Sequence, residues 1–183
     1  MNAVTLLEKY FTSQSALTVI LAHSRLVSAK ALQVADYLAL PDIDRQFVAE
    51  AALLHDVGVC RTVAAGIGCH GTEPYIRHGI LGREILEAEG LPRHAMVCER
   101  HIGVGLTVED IRAQRLPLPE RDMSPVTLEE RIICFADLFY SKGPGGAHIE
   151  KTPEAVRNKL ASFGADKVDI FDSWLLELLP SPR

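Results

Sequence analysis

Leu53-Leu54-His55-Asp56-Val57-Gly58 is an apolar run that ends in an adjacent imidazole and carboxylate followed by glycine. A His-Asp pair at the end of a hydrophobic helix face loses its hydration unless something charged compensates both groups, and a metal cation is a common partner for such a pair. Four more histidines or aspartates fall on apolar faces elsewhere in the chain: His23, His78, His101 and Asp137. Convergence of all six on one point costs less than six separate burials of titratable groups.

The spacing around these residues predicts helices. Val4 and Leu7 mark a short opening helix within residues 2–10, and Val19, Ile20, His23, Leu26, Val27 and Val34 share one stripe of a long helix over residues 15–40. Pro41-Asp42 breaks that helix. Asp42 or Asp44 then caps another, whose buried side holds Phe47, Val48, Ala51, Ala52, Leu54 and His55 and which Gly58 closes. Residues 59–74 keep no sustained period and read as a functional loop attached to the doublet. A helix over about residues 75–89 carries His78 and stops at Gly90, and Leu91-Pro92 opens one with Val97, Cys98 and His101 on its inner face. Thr107 to Asp110 caps a short polar helix, and residues 115–125 form a proline-rich connection. Thr127-Leu-Glu-Glu130 is a capping box for a stripe of Ile132, Ile133, Ala136, Asp137 and Tyr140. Gly143 to Gly146 breaks the chain, and two more helices close it, the last with Trp174, Leu175, Leu176, Leu178 and Leu179 to pack on the core or on another subunit. No run alternates with the two-residue period of a strand. The expected fold is an all-α bundle without significant sheet, a single domain over residues 1–183.

Composition narrows the partners. The chain has 183 residues, 48% of them hydrophobic, with net charge −5 and mean hydropathy +0.11. That balance, with no long basic run, argues against bulk nucleic acid or an anionic membrane surface as a partner. No apolar stretch approaches the roughly 18 residues of a membrane span. Residues 1–10 lack the basic lead of a secretory signal, so a cytoplasmic address is expected. Cys60, Cys69, Cys98 and Cys134 occur singly, which suits reduced thiols, and Cys69-His70 fits no zinc-finger spacing.

His23, the doublet His55-Asp56 and the distant Asp137 together resemble, in order, the motif of the HD superfamily of metal-dependent phosphohydrolases, over about residues 17–142. The helices over 152–179 lie outside the resemblance. His78 in Arg-His-Gly-Ile-Leu-Gly and His101 in Glu-Arg-His-Ile-Gly resemble the two extra histidines of its binuclear members. The resemblance implies one ion held by His23, His55, Asp56 and Asp137, and a second bridged by Asp56 to His78 and His101. It also implies hydrolysis, by a metal-activated water, of a phosphate ester or anhydride of a small molecule, a nucleotide being the leading candidate. Nitrogen and carboxylate donors without thiolate suit Mn, Fe, Co, Ni or Zn. Two alternatives are a di-iron oxygenase of the HD type and a non-catalytic metal- or nucleotide-binding sensor. Many relatives follow the doublet with Ile-Gly-Lys, whereas this chain has Val57-Gly58-Val59, so Arg61 is expected to supply the anion-binding charge. Asp56, Arg61 and His70 are the candidate catalytic residues, Arg77, Arg83, Arg100 and Lys142 the candidate substrate-binding cations, and His94 and His148 bystanders.

Overall fold

Helix starts in the computed structural model, which describes residues 2–142 and 149–179, fall where a side-chain oxygen or a proline relieves the free amides of the first turn. The Asn2 side chain accepts from Val4 and Thr5 to open α1 (Ala3–Tyr10), and Ser13 accepts from Ala16 to open α2 (Gln14–Leu38). Asp44, one of the two candidate caps, accepts from Phe47 at 2.9 Å to open α3 (Arg45–Leu54). α4 spans His78–Ala88, and α5 spans Pro92–Arg100 with its proline in the first turn. Reciprocal capping boxes, Thr107 with Asp110 and Thr127 with Glu130, open α6 (Val108–Ala113) and α7 (Leu128–Leu138). Thr152 caps α8 (Pro153–Ala161), and α9 (Ala165–Leu178) follows. No helix among the described residues is long and apolar enough to cross a membrane. The break at Gly143 to Gly146 and His148 lie outside the described residues.

The fold is helical, with three local departures from the expected boundaries. α3 ends at Leu54 rather than at Gly58, and Val57–Arg61 tightens into a 3₁₀ helix. The loop after it contains a two-residue hairpin, β1 (Val63–Ala64) antiparallel to β2 (Cys69–His70), too short for any alternation to register in sequence. Tyr75–Arg77 forms a separate 3₁₀ turn before α4 begins at His78.

Two hydrophobic clusters meet along α2. Val27, Ala31 and Val34 pack with Phe47, Val48, Ile132, Phe135 and residues of the C-terminal helices, among them Val156, Phe171 and Trp174. One turn earlier, Ala16, Leu17 and Ile20 pack with α1, the end of α3, α4 and α5. His23 and Ser24 lie between the two, both buried. Trp174 is thus buried among the core side chains, whereas Leu176 on the same helix is exposed. The polar residues singled out from the sequence occupy this junction.

Close approach of α4 depends on glycine. A Cβ on Gly58 would lie 2.0 Å from the His78 carbonyl oxygen and 2.3 Å from the Gly82 nitrogen, and one on Gly79 would lie 2.8 Å from the Cys98 carbonyl oxygen. Backbone, not a flexible side chain, fills that space. Gly58 is therefore the residue that lets the His78 end of α4 reach the His-Asp doublet. Gly58→Ala is expected to destabilise the fold by about 2 kcal/mol, as overpacking against rigid backbone does. Chemical denaturation measures it, and an unchanged midpoint would contradict the packing argument.

Candidate metal centre

Five segments supply the six residues: α2 gives His23, the end of α3 gives His55 and Asp56, the first turn of α4 gives His78, the end of α5 gives His101, and α7 gives Asp137. Three of the rings are oriented in the same way. His55 Nδ1 lies 2.7 Å from the Ala52 carbonyl oxygen, His78 Nδ1 2.7 Å from that of Tyr75, and His101 Nδ1 2.8 Å from that of Cys98. A carbonyl only accepts, so each Nδ1 carries the proton and donates it. In the neutral ring Nε2 is left with a bare lone pair pointing inward. At α3 and α5 these bonds also occupy carbonyls of the last helical turn, which explains why α3 stops at Leu54.

Those lone pairs face the two aspartates. His23 Nε2 is 2.9 Å from Asp137 Oδ1 and 3.4 Å from Asp56 Oδ2, and His55 Nε2 is 3.2 Å from Asp56 Oδ2 and 3.5 Å from Asp137 Oδ1. On the other side, His78 and His101 each place Nε2 3.6 Å from Asp56 Oδ1 and 3.1 Å from one another. Asp56 thus turns one oxygen to each pair of rings. Bonds of about 2.0–2.2 Å to nitrogen or oxygen set donor–donor edges near 3 to 3.5 Å, the spacing seen here.

The donors fit a divalent cation on a second count. Both nitrogens of His23, Nε2 of His55, both oxygens of Asp56 and Oδ1 of Asp137 are buried, and apart from their close contacts with one another and with Lys142 they have no hydrogen-bond partner, an arrangement that is costly without a cation. Donor atoms of His23, His55 and Asp137, and of His55, Asp56 and His101, form two compact groups. In the protein alone, burial works against charge on His55, yet Asp56 and Asp137 outweigh it and push its pKa up to about 10. Burial and the neighbouring His101 push His78 down to about 3. Burial opposes ionisation of both aspartates, but His55 and Lys142 beside Asp56, and His23 and His55 beside Asp137, hold them well below the usual carboxylate range.

Lys142 is the cation that reaches this cluster, with Nζ 2.8 Å from Asp56 Oδ2. This charge comes to Asp56 from the chain just beyond α7, not from the segment after the doublet. The other expected cations are placed elsewhere. Arg61 pairs with Glu84 at 3.2 Å in an open hollow beside Arg77, and Arg77 pairs with Glu73 and donates to the Pro117 carbonyl. Arg83 is engaged by Glu87 and Glu99, and Arg100 by Glu130. His70 is exposed on β2, opposite Val63, and does not line the cavity over the cluster. These residues follow their own carboxylates or the loop surface, which spacing along the chain does not encode. His94 packs against Phe47 and lies 3.5 Å from Glu50, away from the cluster.

A cavity of about 550 Å³ opens onto His78, His101, Asp137 and Lys142. Part of its wall comes from residues not singled out from the sequence: Tyr75, whose carbonyl holds His78, and Leu160, Phe163 and Lys167 of the C-terminal segment. The signal that could have found them is weak, since an apolar residue near a helix end reads as core.

Fold and cluster together define a helical protein with converging histidines and aspartates whose arrangement is compatible with divalent metal. The HD domain family model matches residues 20–141, and the chain belongs to that family, which is of the metal-dependent hydrolase type. An uncharacterized protein of Methanocaldococcus jannaschii is 42% identical over 97 residues, covering 52% of this chain and 50% of that protein. A tRNA (cytidine(56)-2'-O)-methyltransferase of Picrophilus torridus is 37% identical over 130 residues, covering 70% of this chain and 33% of that protein. One of the same name from Thermoplasma volcanium is 32% identical over 126 residues, covering 68% of this chain and 33% of that protein. The match therefore spans half of the first relative and a third of the other two. No solved structure matches the chain.

The raised His55 pKa has a measurable consequence. Below about 10, His55 carries a proton on the nitrogen that would face an ion, and that proton must leave on binding. Affinity for a divalent cation is therefore expected to rise by about tenfold per pH unit through the neutral range and to flatten only above the raised pKa. Calorimetric titration with Zn²⁺ or Mn²⁺ in buffers of different ionisation enthalpy counts the released proton, and a pH-independent affinity would contradict the assignment.

Proposed function

We propose that the protein is a metal-dependent phosphohydrolase that removes phosphate from a small phosphorylated molecule, with a nucleotide as the leading substrate. The observation that supports it most is Asp56, a buried carboxylate with one oxygen toward His23 and His55 and the other toward His78 and His101. In this reading His23, His55, Asp56 and Asp137 would hold one ion, and His78 and His101 would hold a second together with Asp56. A pair of divalent cations supplies Lewis-acid stabilisation of phosphoryl oxygens and a nucleophile at neutral pH.

The chain's own groups then position the substrate. Lys142 stands where the cavity meets the cluster and can neutralise charge on phosphoryl oxygens. Tyr75, with its ring centroid 5.7 Å from the Lys142 amine, lines the same mouth. Buried rings on the cluster side keep bulk water from the ligands, which strengthens every charge interaction there. Methyl transfer belongs to the names of two relatives of which the match covers a third, and a buried cluster of histidines and carboxylates suits hydrolysis better.

Supplied with Mn, Fe, Co, Ni or Zn, the purified protein is expected to release phosphate from members of a nucleotide panel. Asp56→Ala should lose both hydrolysis and retained metal, whereas His94→Ala should keep both near wild type. Equal losses in the two variants would sink the assignment. Elemental analysis of His78→Ala should give about one ion where the wild type holds about two, and unchanged stoichiometry would leave a mononuclear site. Iron-dependent oxygen consumption without phosphate release would replace this reading with an oxygenase, and nucleotide binding without turnover would replace it with a sensor.

A further inference from the structure

The family match ends at residue 141, but the cavity over the cluster continues past it. Val156 and Leu160 of α8 and Phe163 in the turn that follows line it, together with Val104, Leu106 and Leu116. Phe163 is 56% exposed, although a phenyl ring favours burial. Its backbone is nonetheless held in place: the Phe163 amide donates to the Leu160 carbonyl at 2.9 Å. Gly164 follows at φ 149°, where a Cβ would meet the Asp166 carboxylate at 2.3 Å. The far side of the turn is tied as well, since the buried Lys167 places Nζ 2.6 Å from Asp110 and 3.0 Å from Asp166. An aromatic face is therefore presented to water on a fixed turn, in the same cavity that opens onto His78, His101 and Asp137.

Charge along the cavity is just as uneven. Of the three lysines lining it, Lys142 is at the cluster, Lys167 is paired with two carboxylates, and Lys159 is exposed on α8. The walls between carry mostly aliphatic side chains, which would follow a polyphosphate poorly and cover a flat apolar face well. A volume of about 550 Å³ suits a small-molecule ligand.

We infer that Phe163 and the α8 wall are the specificity-determining surface, taking the nucleobase of a nucleoside monophosphate whose phosphate lies at the metal ligands and Lys142. This rests on the phosphohydrolase reading and assigns its selectivity to a segment outside the family-matched stretch. A sugar phosphate without a base would leave the exposed Phe163 ring in water and gain nothing from it.

Adenosine, AMP and ribose 5-phosphate separate the possibilities. Phe163→Ala is expected to weaken adenosine binding about tenfold by calorimetry, with or without added ion, and to raise KM for AMP by the same factor at nearly unchanged kcat. Ribose 5-phosphate should be turned over equally by both proteins, and Phe163→Tyr, which keeps the ring, should behave as the wild type. Equal adenosine affinity in Phe163→Ala and wild type, with AMP still hydrolysed, overturns the assignment and leaves the phosphohydrolase reading standing. Absence of hydrolysis of both AMP and ribose 5-phosphate by the wild type with all five metals overturns that reading and this assignment with it.

Discussion

Three imidazoles each give their Nδ1 proton to the carbonyl three residues earlier, and the site depends on that constraint. A histidine free to choose its tautomer can satisfy a neighbouring carboxylate by donating to it. These three have already committed their proton to the backbone, so Nε2 can act only as a lone pair unless the ring takes up a second proton. His78 and His101 then face each other across 3.1 Å with like electron density, and Asp56 adds two buried oxygens that find no backbone donor. Only positive charge reconciles such a set. In the protein alone it comes from Lys142 and from a proton on His55, and a divalent cation would serve the same need with better geometry.

The scaffold's part is to bring distant segments to one place without filling it. The cluster lies where two hydrophobic groups of side chains abut along α2, so ordinary packing fixes the ligands from both sides. Gly58 and Gly79 remove the side chains that would hold α4 away from the doublet and from α5. Buried ion pairs fasten the periphery: Glu99 joins Arg83 of α4 to Arg121 in the connection before α7, and Lys167 joins α9 to the cap of α6. Pairs of this kind add little net stability, yet they specify which surfaces meet.

Much of this is legible in the amino-acid sequence. Helical periodicity gave the long elements, and caps such as Asp44, Thr107 and Thr127 marked their starts, because both signals are local and repeat over several turns. The six donors stood out because a titratable group on an apolar stripe has no cheap bland explanation. What escaped was set by contacts remote in sequence. The end of α3 moved because a ring took the place of a backbone donor. Arg61 and His70 sit near the doublet along the chain, but one turns to Glu84 and the other to solvent. Lys142 stood among four candidate cations with nothing in the sequence to single it out, Phe163 carries no pattern of its own, and their positions emerge only once α7, α8 and α9 are packed.

The histidines at the ends of α3 and α5 use one nitrogen for the backbone and keep the opposite one for the cluster. Architecture and chemistry are thereby divided between two atoms of a single side chain. A descendant that replaced such a ring with asparagine, a residue common at helix C-termini, could retain a donor for the terminal carbonyl while surrendering the inward lone pair. Inactive members of a lineage built this way would keep the outline of the active ones, and resemblance in shape would say little about which of them still react.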